Sequence, residues 1–182
     1  MDTDTLAEIR DHDTATRALN IARDNLDAAA GAYLVSGTVL RKLILDVRPQ
    51  GILTVGEMAE AVGRDRNYID TVWSSHGDTT KGKQTRVAVG IGTDAVAARK
   101  AYDSLHAAAD MERKLAGGVR VARAERNRLV VMVYSSKLLG PSAISAAVGI
   151  DRNHVLRTAR KAGIAPVHRP DTKNQYTNPA SN

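Results

Sequence analysis

Ala61-Val62-Gly63-Arg64-Asp65-Arg66-Asn67 returns almost letter for letter as Ala147-Val148-Gly149-Ile150-Asp151-Arg152-Asn153, an offset of 86 positions from residue 61 to residue 147. The same offset pairs Leu43 with Leu129, Val47 with Val133, Leu53 with Leu139, Ile69 with Val155 and Gly77 with Gly163. A repeat of about 35 residues is therefore readable directly.

Each copy has the pattern of a helix-turn-helix. A short helix, Val55 to Ala61 in the first copy, carries the small Ala59 where two backbones approach, and Gly63 takes a tight turn that a Cβ disfavours. Asp65 is then placed to cap a second helix, its oxygens accepting from unpaired backbone N–H groups at the positive helix end. On that helix Ile69, Val72 and Trp73 fall on one face, and Arg66, Asn67, Asp70, Thr71 and Ser74 on the other. In the second copy Ile144, Val148, Val155 and Ala159 face inward, Ser145 is the small residue, Gly149 turns and Asp151 caps. Arg152, Asn153, Leu156, Arg157, Arg160 and Lys161 face outward. Arg followed by Asn at the start of the second helix points to duplex DNA, because N-terminal residues of a recognition helix meet base edges, Arg pairing with guanine and Asn with adenine. A duplicated helical hairpin that only packs, or binds protein, is the plainer alternative.

Working outward, the 182 residues carry a net charge of +6, and residues 119–182 hold eleven Lys and Arg against three Asp and Glu. That asymmetry is the footprint expected of a polyanion-binding region. The absence of cysteine excludes disulfides and thiolate metal sites. With no Phe and one Trp, stacking on single-stranded nucleic acid is a poor fit. No run approaches the roughly 18 apolar residues of a membrane span and no leader is read at the N-terminus, so a soluble, intracellular protein is expected.

From Asp4 to about Arg48 the chain reads as helix, stopped by Pro49-Gln50-Gly51. Leu19, Leu26, Tyr33, Leu40 and Val47 recur every seven residues, a pattern open to a coiled-coil dimer seam. Gly31 and Gly37 interrupt it, however, and Leu40 to Val47 are needed beneath the first motif, so packing within the chain is preferred. Asp78 to Arg86 reads as a polar loop or small hairpin whose Lys81, Lys83 and Arg86 either touch phosphates or simply solvate it. Gly90-Ile91-Gly92 resembles a dinucleotide-binding turn only superficially, since no βαβ unit can be assembled around it. A helix is expected from Thr93 to Ala116, capped by Thr93 and ended by Gly117-Gly118, and a second from Arg120 to Tyr134 with Leu129, Val130 and Val133 inward. The first would span about 36 Å, close to one turn of DNA. Beyond Ala165 lies a Pro-containing basic tail with Arg169. The five histidines lack ligand spacing, and no catalytic, metal or cofactor site is read.

Two basic helix-turn-helix units in a small cysteine-free chain, anchored on Val55–Ser75 and Pro141–Lys161, resemble the immunity repressors of temperate mycobacteriophages that bind stoperator sites. The resemblance implies a repressor that maintains lysogeny in the bacterial cytoplasm by occupying short asymmetric sites, with the second motif as the stoperator domain.

The expectation is therefore an all-α chain of two helix-turn-helix units joined by a long helical linker. Residues 1–77 would form the N-terminal region with the first unit, 78–118 the basic loop and linker, 119–165 the second unit, and 166–182 the tail. Arg66, Asn67, Asp70, Thr71, Ser74, Lys81, Lys83, Arg86, Arg152, Asn153, Leu156, Arg157, Arg160, Lys161 and Arg169 would contact DNA. The chain would act as a monomer across two successive major grooves, without a small-molecule ligand or membrane. The alternatives are a recombination or packaging accessory factor, and a helical module that binds an acidic protein.

Overall fold

A computed structural model describes residues 9–76 and 94–165. It is all-helical: 83% of the described residues are helical, in six α-helices and one 3-10 turn, with no strand among them. The expected loop or small hairpin from Asp78 to Arg86, with Lys81 and Lys83, and Thr93, Arg169 and the tail lie outside the described residues.

Local chemistry sets each helix boundary. Helix α1 spans His12–Val47; Asp11 accepts from the Thr14 N–H at 2.8 Å while the Thr14 hydroxyl accepts from the Asp11 N–H at 3.2 Å. The Thr14 N–H and then the Thr14 hydroxyl, each donating to the Asp11 carboxyl at 2.8 Å, hold that carboxyl below its usual pKa. Pro49 cannot continue the helix, and a 3-10 turn, Arg48–Gln50, closes on Gly51 at φ 65°. Helix α2, Val55–Val62, starts at a reciprocal capping box: the Glu57 N–H donates to Thr54 Oγ1 at 3.2 Å and the Thr54 N–H to Glu57 Oε2 at 2.7 Å. It ends at Gly63, φ 63°. Helix α3, Arg66–His76, is capped by Asp65, which accepts from the Tyr68 N–H at 2.8 Å.

Helix α4 runs without a break over Ala95–Ser135, capped by Asp94 on the Val96 N–H at 2.9 Å. This corrects the expected division into Thr93–Ala116 and Arg120–Tyr134. Gly117 and Gly118 each weaken a helix by about 1 kcal/mol relative to Ala, but neither supplies a stop. Packing at both ends of α4 carries the helix through: Leu105 and Ala109 are buried in one core, Leu129, Val130 and Val133 in another. Helix α5, Pro141–Val148, has Pro at its first position and ends at Gly149, φ 65°. Helix α6, Arg152–Lys161, is capped by Asp151 on the Asn153 N–H at 2.7 Å.

The chain divides into two compact units. One, Asn25–Ala122, buries Leu40, Ile44 and Val47 of α1, Leu53, Met58, Ala61 and Val62 around α2, Ile69 and Val72 of α3, and Leu105 and Ala109 of α4. The other joins the residues up to Asp24 to those from Arg123 onward, and buries Ala15, Leu19 and Ala22 of α1 with Leu129, Val130, Val133, Leu139, Ile144, Val148, Val155 and Ala159. The expected boundaries at 77 and 118 are therefore corrected. The start of α1 packs with the second helix pair, and the first half of α4 packs with the first pair and is no free linker.

This exchange lengthens the repeat. Shifted by 86 positions, α1 falls on residues 98–133 of α4, and Ala15, Leu19, Ala22 and Gly31 fall on Ala101, Leu105, Ala108 and Gly117. Leu19 and Leu105, both fully buried, fill equivalent places in the two cores. Each repeat is one long helix and one short pair, and the first part of each long helix completes the core under the other repeat's pair.

The heptad residues Leu19, Leu26, Leu40 and Val47 are buried within the chain. By length and composition alone, residues His12–Gln50 also suffice to cross a membrane, with an 18-residue window of mean hydropathy 1.3. The sequence reading missed this because Ala and Gly contribute to that mean beside Leu, Ile and Val. The fully buried Leu19, Leu40 and Ile44 of this helix are core residues, while Leu34, Val35 and Val39 are exposed.

Candidate nucleic-acid interface

In both pairs the turn is held from outside by an arginine. Arg113 of α4 donates to the Val62 carbonyl at 3.0 Å, and a Cβ on Gly63 would come within 2.9 Å of its guanidinium. Arg23 of α1 donates to the Ala147 carbonyl at 3.3 Å and passes beside Gly149. A cation here meets the last, otherwise unpaired carbonyls of a helix at its negative end. Around the first turn, a His106 ring nitrogen lies 3.1 Å from the Ala61 carbonyl, and Arg64 bonds Glu112 at 3.2 Å with its guanidinium over the Tyr68 ring. Burial, then the Glu112 charge, raises the Tyr68 phenol above its usual pKa. A bond from Arg113, the largest influence, holds the Asp110 carboxyl low. In the second turn the Ser145 hydroxyl donates to the Ile150 carbonyl, a bond that Ala59 in the first turn cannot make.

The outward faces differ. On α3, Arg66, Asn67, Thr71 and Ser74 are exposed. The Arg66 guanidinium folds back over the first turn of α2, so that a Cβ on Gly56 would lie 3.1 Å from it. Asp70, one of the expected DNA contacts, accepts from Arg48 Nη1 at 2.9 Å. The Arg48 guanidinium also lies 5.0 Å from the centroid of the half-buried Trp73 ring. Arg48, one residue past the end of α1, gave no motif that foresaw this pairing, and the Asp70 side chain keeps 47% exposure.

On α6, Arg152, Asn153, Arg157, Arg160 and Lys161 are exposed. Leu156, one of the expected DNA contacts, is half-buried and packs against the second core. Arg126 of α4 is buried. The described part of the site thus keeps four polar residues on α3 and five on α6.

Among the described residues no group of three or more His, Asp or Glu is placed to hold a metal. No family model, curated protein or solved structure matches the chain.

Proposed function

We propose that α2–α3 and α5–α6 are helix-turn-helix units and that the protein is a sequence-specific repressor of transcription that binds double-stranded DNA. The observation that carries this reading is the repetition, on two separately built cores, of a positive-φ glycine turn, a capping Asp and an exposed Arg-Asn at the first turn of the following helix. That position meets base edges when a recognition helix enters a major groove. The resemblance to mycobacteriophage immunity repressors specifies the reading further: occupancy of short asymmetric operator or stoperator sites by one chain, maintaining lysogeny in the bacterial host.

The asymmetry follows from the helices themselves. Tyr68, Thr71 and Ser74 on α3 stand where α6 has His154, Arg157 and Arg160, so two heads in one chain read different half-sites. Selection of bound sequences from a random duplex pool tests the proposal. Arg152→Ala is expected to cost about 1–3 kcal/mol and relax preference at one or two base pairs; unchanged affinity and unchanged selected sequence in both Arg66→Ala and Arg152→Ala would reject it.

A second reading, a helical module that binds a protein, draws on the exposed Leu34, Val35 and Val39 of α1. Capture of a partner that survives nuclease and is not competed by plasmid DNA would favour it.

A further inference from the structure

Beside the C-terminal half of α6 lies a recess of about 430 Å³, lined by Asn127 of α4 and by His154, Arg157, Thr158, Lys161 and Ala162. It sits wholly within one unit. The polar chemistry facing it is almost entirely of one kind. Arg126 donates to Asn127 Oδ1 through Nη2 at 3.0 Å and Nε at 3.3 Å. A guanidinium has no acceptor, so the amide oxygen must face it, and the two Asn127 N–H donors are left for the recess. His154 offers an N–H donor in either tautomer. Thr158 donates its own proton back to the His154 carbonyl at 2.9 Å. Arg157 and Lys161 are exposed cations, and no carboxylate lines the recess. The C-terminal end of a helix is by itself unfavourable to an anion, but the Ala162 N–H already engages the carbonyls of Thr158, Ala159 and Arg160 there.

We propose that Asn127, His154, Arg157 and Lys161 form a phosphate-ester site that grips one backbone phosphate of the duplex, so that Arg157 and Lys161 position α6 while Arg152 and Asn153 read bases. The proposal rests on the DNA-binding reading given above. It assigns to Asn127, on a different helix from the reading face, a role that no motif carries. The first repeat has no counterpart: the positions equivalent to Asn127, His154, Arg157 and Lys161 are Arg41, Tyr68, Thr71 and Ser75. There Arg41 donates to Thr38 and the Tyr68 ring lies under Arg64.

The test uses the full chain and a duplex selected by the wild type. Asn127→Ala and Lys161→Gln are each expected to weaken binding about five- to tenfold for every duplex sequence alike, leaving the selected sequence unchanged. Lys161→Gln should also reduce the slope of log affinity against log salt by about one. Lys161 is exposed, so this variant stays informative if Asn127→Ala fails to fold. Wild-type affinity and slope in Lys161→Gln, or a changed preferred sequence, would overturn the phosphate assignment while leaving the DNA reading intact. Failure of the wild type to bind any duplex would instead overturn the reading beneath it. Inorganic phosphate, titrated onto the free protein and followed by NMR, separates the two sources of phosphate. Weak, millimolar shifts at His154 and Asn127 support a backbone site; tight binding that the duplex does not displace would assign the recess to a free phosphate compound and overturn the proposal.

Discussion

The two short pairs descend from one pattern and use it differently. In the first, Arg48, Asp70 and Trp73 form a polar clamp at the side of α3, with the Arg48 side chain only 14% exposed. In the second, the equivalent positions hold Tyr134, Leu156 and Ala159, all turned to an apolar core. A unit that ties its recognition-face carboxylate to its own scaffold keeps fewer groups for a partner. A unit that closes its core with apolar residues leaves Arg157, Arg160 and Lys161 outward. Duplication therefore gave one scaffold twice and two unlike surfaces.

The largest expected effect lies in the exchanged halves of the long helices. Leu19→Ala and Leu105→Ala each remove a fully buried side chain from equivalent places and should each cost about 2–5 kcal/mol. Hydrogen exchange should show the cost crossing the chain order: Leu19→Ala loosens α5–α6 and Leu105→Ala loosens α2–α3. Faster exchange in α2–α3 of Leu19→Ala, with α5–α6 unaffected, would break the comparison at its base.

A smaller effect separates the clamps. Arg48→Met should destabilise the first unit by about 1–2 kcal/mol, since it leaves Asp70 without its partner and uncovers Trp73. Thermal melts check this, and a wild-type melt for Arg48→Met would mean that the clamp contributes nothing to the first unit.

The smallest effect is electrostatic. Glu57 is held below its usual pKa by bonds from Thr54, backbone first and then side chain. Its folded value lies below the unfolded one, so its contribution is present above about pH 4.5 and is lost as pH falls through the lowered value. The second pair starts at Gly140 and Pro141 with no such carboxylate. An acid titration followed by amide exchange should show α2 fraying at its first turn before α5 does, and Glu57→Gln should remove the difference.

Much of this was legible in the sequence where a residue's role is set by its neighbours along the chain. Gly63, Gly149, Asp65 and Asp151 do what their types require at a turn and a cap, and Ile69 and Val155 follow helical spacing into their cores. The full length of the repeat was present in Ala15, Leu19 and Ala22 against Ala101, Leu105 and Ala108. In alanine-rich helices such matches carry little information until packing shows them to be equivalent. Gly117-Gly118 misled because a stop signal acts only where nothing beyond it anchors the helix. The surroundings of Asp70 and Leu156 were not legible, because which partner a side chain takes depends on residues far along the chain, Arg48 in one case and the second core in the other. Asn127 carried no signal at all, since its meaning comes from Arg126 orienting its amide beside α6.

The central claim is that one chain presents two unlike reading heads. It is tested most directly by measuring, on one selected duplex, the protein-to-DNA stoichiometry together with the symmetry of the protected sequence. One chain on one non-palindromic site is expected, with Arg66→Ala and Arg152→Ala relaxing preference at different ends of it. Two chains on an inverted repeat, with both substitutions acting at symmetric positions, would contradict it.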